Sequence, residues 1–238
     1  MVRWKSKDLR KQQATGTTTP ALEIQPAPKV EKLAPFKIEG QQGDNWCWAA
    51  VTSCVDYRWD TKRSQEDIVR QLQGDTGDCA AKIAGATVTN CCRLNSAGAK
   101  KRADGLTDTT ARLGCALLYA QRFYGSKRVK LSEPSQASAR AAEIDQFFAD
   151  VKKQIDQGRP VAARVEWESG SGHFIYIYGY DDHGHLLIMD SLLSPKGRYY
   201  EGGSVVSDIK SMANGHYNNG HLQGRVTQFF WTKQKGLN

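Results

Sequence analysis

The stretch Gln41-Gln42-Gly43-Asp44-Asn45-Trp46-Cys47-Trp48-Ala49-Ala50 sets a cysteine between two tryptophans, just where the pattern of the chain turns helical. From that point Trp48, Val51, Val55 and Trp59 recur at three- and four-residue spacing, with Ala49 and Ala50 small enough for close packing, so a helix is expected from about Cys47 to Arg58. A thiol at a helix N-terminus feels the positive end of the macrodipole, which favours thiolate over thiol. Cys47 is therefore the candidate nucleophile, and Gln41, six residues upstream, is a candidate donor to an anion formed beside it. Cys54, further along the same helix, is expected in the core. Trp46 and Trp48 are expected to serve as packing groups.

Before this stretch the chain has a different character. Residues 1–35 hold Pro20, Pro26, Pro28 and Pro35 and the run Thr15-Gly16-Thr17-Thr18-Thr19, a composition that resists a packed core. This segment reads as a flexible basic tail, and the folded domain is expected over 36–238. The net charge is +8, of which residues 1–39 supply about half. A solvated basic tail explains that excess, so no nucleic-acid partner is expected. The basic start lacks a following apolar segment and does not read as a standard secretory signal peptide. No apolar run approaches the roughly 20 residues that span a bilayer.

Beyond the first helix, Ser64 with Asp67 resembles a capping arrangement for a short helix carrying Ile68, Val69 and Leu72, which ends at Gly74. Residues 75–105 read as a long irregular excursion containing Cys79, Cys91 and Cys92. A loop-pinning disulfide and free thiols are both open readings there, with Cys115 a further candidate. A zinc site is disfavoured, because the spacing lacks a CxxC pair and a nearby histidine. A third helix is expected between Thr107 and Gly125, and a fourth where Ile144, Phe147, Phe148, Val151 and Ile155 share a face.

After Pro160 the period changes to two. Strands are expected over 161–167, 173–180 and 186–190, the last two forming a hairpin about Asp181-Asp182-His183-Gly184. Tyr199 and Tyr200, a short helical piece from about Val205 to Met212, and a strand over 226–231 complete the chain. Helices first and strands second predict an α+β fold, with a helical half packed on a mostly antiparallel sheet.

A cysteine nucleophile needs a base, a group that orients the base and donors for an oxyanion. His173 opens one strand of the expected hairpin and Asp190 closes the other, so antiparallel pairing brings them together at the end away from the turn. Asp181 and Asp182 sit at the turn end and are the weaker candidates for orienting His173. His183, His185, His216 and His221 are expected in solvated turns. The backbone N–H of Cys47 and the side chain of Gln41 would serve the oxyanion, with Gln42 as the alternative.

The ordered set of Gln41, Trp46-Cys47-Trp48-Ala49-Ala50, Gly172-His173-Phe174, Gly179-Tyr180 and Asp190 resembles the papain-like cysteine peptidases, most closely their compact bacterial branch of leader-processing peptidases and secreted effectors. The resemblance implies Cys47 as nucleophile, His173 as base, Asp190 as orienter and Gln41 as oxyanion donor, with a cleft between the two halves. It implies a protein or peptide substrate, no metal or organic cofactor, and a bacterial protein delivered outside the cell. Because His173 lies in Gly172-His173-Phe174-Ile175-Tyr176 and not beside a tryptophan-rich strand, no substrate-pocket residues carry over. The same thioester chemistry would also serve an amidase, a deamidase or a transglutaminase-like acyl transfer, and a catalytically inactive binding domain is the non-enzymatic alternative.

Overall fold

A computed structural model gives the fold and describes residues 30–33, 38–43, 45–59, 62–74, 94–95, 110–111, 117, 127–130, 137–193, 199–200, 205–219 and 222–232. The centre is an antiparallel sheet into which the second half of the chain alternates. Its strands are β5 (Lys127–Lys130), β6 (Val161–Trp167), β7 (Gly172–Asp181), β8 (His185–Met189), β10 (Val205–Asp208), β11 (Tyr217–Asn218) and β12 (Gln223–Trp231), joined by β1 (Val30–Lys32) from the start of the chain. The order is β10-β8-β7-β6-β12-β11, with β1 also paired to β7 and β5 to β12. Two small ribbons lie outside it: β2 (Ile38–Glu39) with β9 (Tyr199–Tyr200), and β3 (Leu94–Asn95) with β4 (Thr110–Ala111).

Helix α1 (Cys47–Arg58) has the expected bounds, and it is buried without interruption from Cys47 to Asp56. A helix so enclosed needs apolar or small residues all round, which is what Ala49, Ala50, Val51, Cys54 and Val55 provide. Helix α2 (Gln65–Gly74) begins at the anticipated cap: the Ser64 Oγ accepts from the Asp67 N–H at 3.1 Å while Asp67 Oδ2 accepts from the Ser64 N–H at 3.2 Å. Arg63 grips the fully buried Asp56 carboxylate with two bonds of 2.7 and 2.9 Å, so α1 and the approach to α2 form one unit.

Both faces of the sheet are covered. On one, α1 and α2 pack Trp48, Val51, Val55, Ile68, Val69 and Leu72 against Phe174, Tyr176, Tyr178, Leu187 and Met189. On the other, helix α3 (Ala137–Asp156) lays Ile144, Phe147, Val151 and Ile155 against Val161, Ala163, Ile175, Ile177 and Phe229. The stack of Phe147 on Phe229, with ring centroids 5.2 Å apart, anchors this second interface. The expected α+β composition holds, but α3 does not join α1 and α2 in one helical half. Its apolar stripe answers the opposite face of the sheet, which is why β7 is buried on both sides from His173 to Asp181.

Three further expectations change. The sheet recruits residues ahead of Phe36, since β1 pairs with Gly179–Asp181 of β7 and Leu33 is buried with its N–H on the Tyr178 carbonyl. Residues 205–208 form an edge strand on β8 rather than the start of a helix, because Val205 and Val206 extend the ladder opposite Ile188 and Leu187. Helix follows only at α4 (Ile209–Ser211), capped by the Asp208 carboxylate, and runs into a π-helical turn over Met212–His216. Within the span expected as a third helix, Thr110–Ala111 is instead a strand paired with Leu94–Asn95 of the excursion over 75–105. The rest of that excursion, the rest of the third helix apart from buried Leu117, and Cys79, Cys91, Cys92 and Cys115 lie outside the described residues.

Gly224 of β12 is required by a close approach. A Cβ there would stand 2.5 Å from the Glu166 carbonyl oxygen, 2.7 Å from the Trp167 ring and 2.9 Å from Val165. All three neighbours are backbone or buried core side chains and cannot readily give way. Gly224→Ala is expected to destabilise the fold by about 1–3 kcal/mol, seen as a lowered urea midpoint with an unchanged slope.

Candidate active site

The hairpin of β7 and β8 decides where the histidine and the aspartate meet. Near the turn Tyr180 pairs with Leu186 and Gly179 with Leu187, but beyond it Ile177 pairs with Ile188 and Tyr176 with Met189, so β7 carries one extra residue. This bulge resets the alternation of the strand. It keeps Ile177, Ile175 and His173 in step with Ile188 and Asp190, on the face that α3 covers.

The two side chains bond directly, His173 Nε2 to Asp190 Oδ1 at 2.6 Å, and both are almost completely buried. Asp190 also accepts the Leu192 N–H at 2.9 Å, the Tyr217 hydroxyl at 2.9 Å and the Asn219 amide at 3.1 Å. Burial alone would raise its pKa. The charge and hydrogen bond of His173, with the bonds from Leu192 and Asn219, outweigh that and hold the carboxyl below its ordinary range. Burial and the Asp190 charge push the Tyr217 phenol upward, so it keeps its proton and donates.

For His173, burial favours the neutral ring. The Asp190 charge and hydrogen bond, followed by hydrogen bonding and charge from Cys47, overcome it and push the imidazole up to about 10. Cys47 and Asp190 thus act on one ring from different segments. With Nε2 bonded to Asp190, Nδ1 is the ring nitrogen left for the hydrogen bond between His173 and Cys47. The ring is clamped from its flat side by Trp167, whose centroid is 5.6 Å away at 18° to it, and Trp167 in turn stacks on Tyr217 at 6.0 Å.

Cys47 is the first residue of α1 and is 8% exposed. The preceding Trp46 makes no side-chain cap and the first turn holds no acidic residue, so no side chain there neutralises the helix N-terminus at the sulfur. Trp46 and Trp48 are buried as packing groups, and burial drives the Cys54 thiol strongly upward in the core.

Gln41 is 7% exposed and is tied to the residue after Asp190: its N–H donates to the Ser191 carbonyl and its Oε1 accepts from the Ser191 hydroxyl, both at 3.3 Å. Gln42 instead turns its amide NH2 onto Glu39 at 2.7 Å, which separates the two glutamines that sequence left as alternatives. Asp181 accepts the N–H groups of His183 and His185 and bonds the His185 ring at 2.8 Å, so it organises the turn and is not near His173. His183, His185 and His216 lie toward solvent, and His221 is outside the described residues. Among the described residues, no group of three or more His, Cys, Asp or Glu side chains could hold a metal ion, and no helix is long and apolar enough to cross a membrane.

Sequence reading missed Trp167, Tyr217, Asn219 and Ser191. Trp167 carried a readable signal, because it ends the strand that pairs with β7 and sits beside a short connection to His173. Tyr217 and Asn219 follow a π-helical turn that no periodicity announced.

The raised histidine pKa has a sign. His173 binds its proton more tightly folded than at an ordinary 6.5, so it stabilises the fold fully below pH 6.5, and that contribution is lost as pH rises through about 10. Asp190 behaves oppositely, its contribution disappearing as pH falls through its lowered value. The denaturation midpoint of the wild type is expected to fall between pH 6.5 and 10, and Asp190→Asn should flatten that slope while lowering stability near neutrality.

No curated protein matches the chain. A family model described as Peptidase_C39 like matches residues 30–223, a span that starts at β1 and contains Gln41, Cys47, His173 and Asp190. On that match the chain belongs to the Peptidase_C39-like family, in keeping with its resemblance to papain-like cysteine peptidases.

Proposed function

We propose that the protein is a cysteine peptidase that cleaves peptide bonds through a thioester on Cys47, with His173 as proton carrier, Asp190 as its orienter and Gln41 as an oxyanion donor. The observation that carries the reading is the buried chain from Cys47 through His173 to the Asp190 carboxylate. Residues far apart in sequence meet at one buried imidazole, and the carboxylate that would orient it is saturated with donors.

The chemistry follows from those positions. The Cys47 sulfur attacks the peptide carbonyl carbon, and the carbonyl electron pair moves onto oxygen, to which the Cys47 N–H and the Gln41 amide NH2 donate hydrogen bonds. Collapse breaks the C–N bond, and the amine leaves with the proton carried by His173. Water then attacks the thioester, giving its proton to His173, and the acid departs as the thiol is restored. Asp190 keeps Nε2 occupied and stabilises the charged ring, so Nδ1 alone exchanges protons with substrate. Trp167 stops the ring from rotating out of line.

An electrophilic peptide-mimetic probe is expected to label Cys47, with labelling abolished in Cys47→Ala. Peptide hydrolysis in His173→Ala should fall by about 10³-fold or more. An unbiased cleavage-site profile, run beside free glutamine and amine acceptors, reads the acceptor. Water as acceptor on peptides is the expected result, whereas release of ammonia from glutamine or amine transfer without peptide cleavage would replace the peptidase with another thioester chemistry. No labelling across a wide pH range would sink both.

A further inference from the structure

The loop carrying Gln41 is held by a side chain the catalytic scheme does not use. Gln65, the first residue of α2, is completely buried. Its Nε2 donates to the Gly40 carbonyl at 3.1 Å and its Oε1 accepts the Gln42 N–H at 3.0 Å. One amide therefore grips the peptide unit before Gln41 and the peptide unit after it. Those two planes set the backbone torsions of Gln41 and hence the direction in which its side chain leaves the loop.

Ser191 supplies a further constraint. Its carbonyl takes the Gln41 N–H, and its hydroxyl donates to Gln41 Oε1, each at 3.3 Å, with Ser191 itself only 1% exposed. An amide whose oxygen end is held by a hydroxyl presents its NH2 as the donor end.

Both anchors belong to the framework of the site. Ser191 follows Asp190 directly, and Gln65 follows the Ser64–Asp67 cap and the Arg63–Asp56 pair that lock α2 onto α1. The helix that begins with Cys47 and the loop that carries Gln41 are thereby referred to one rigid unit.

We propose that Gln65 and Ser191 are positioning residues that aim the Gln41 amide at the oxyanion formed when Cys47 is acylated, an inference that rests on the peptidase reading above. It separates two kinds of reactivity at Cys47. Alkylation by iodoacetamide joins carbon to sulfur and expels iodide without building an oxyanion. Addition to a peptide aldehyde, like acylation by a peptide, places negative charge on an oxygen that Gln41 would serve.

The test uses the full chain with Gln65→Leu, Gln65→Glu and Ser191→Ala. In each, kcat for a peptide found by the cleavage profile should fall about 10- to 100-fold with KM changed less than about threefold. Affinity for the matching peptide aldehyde should fall in step with kcat, while the rate of Cys47 alkylation by iodoacetamide stays at the wild-type value. A purely structural role would slow alkylation in parallel, and that result overturns the proposal. So does unchanged kcat and aldehyde affinity in Gln65→Glu and Ser191→Ala, which carry the test if Gln65→Leu fails to fold. Should the wild type bind the aldehyde yet cleave no peptide, the peptidase reading fails while selective loss of aldehyde affinity still supports the positioning. Absence of aldehyde binding in the wild type overturns both.

Discussion

The 2.6 Å contact between His173 and Asp190 is the constraint on which the site depends. It places a protonated imidazole and a carboxylate at the end of a sheet that is buried on both faces, where an unpaired charge would be very costly. The surroundings meet that cost with donors. Backbone from Leu192, a phenol from Tyr217 and an amide from Asn219 converge on the same carboxylate, and Trp167 lies flat against the imidazole. The upward shift of His173 and the downward shift of Asp190 are two views of one coupled pair.

Register makes the contact. Counting residues back from the turn without an extra one in β7 would send His173 and Asp190 to opposite faces of the hairpin. The bulge between Ile177 and Gly179 restores the phase, and it lies where β1 joins β7 through Lys32 and Gly179. The fold thus spends an irregularity in its central strand on bringing two polar side chains into line. Cys47 arrives from the helical layer on the other face, which is why the site forms at the end of the sheet where the layers meet.

Much of this was legible in the residues. The start of α1 at Cys47, the Ser64–Asp67 cap, the apolar stripe of α3 and the hairpin ends at His173 and Asp190 all follow from local spacing and capping chemistry. Local rules failed where long-range pairing prevailed. Val205 and Val206 form a strand because β8 offers them an unpaired edge, and Val30–Lys32 joins the sheet because β7 continues past the reach of β6. The different surroundings of Gln41 and Gln42 also needed tertiary contacts, Ser191 holding the one amide and Glu39 the other.

By itself the sequence determined the chemical parts: a cysteine opening a helix, a histidine opening a strand, an aspartate closing the next, and a glutamine ahead of the cysteine. Those are local properties, carried by residue type and by periods of two and three to four. Only the tertiary structure decided that α3 covers the opposite face of the sheet, that Tyr217 and Asn219 complete the cradle of Asp190, and that Gln65 clamps the loop of Gln41. Each of these joins residues far apart along the chain through one hydrogen bond or one packed face. No local pattern encodes such a pairing, because its free energy exists only once both partners have lost water together.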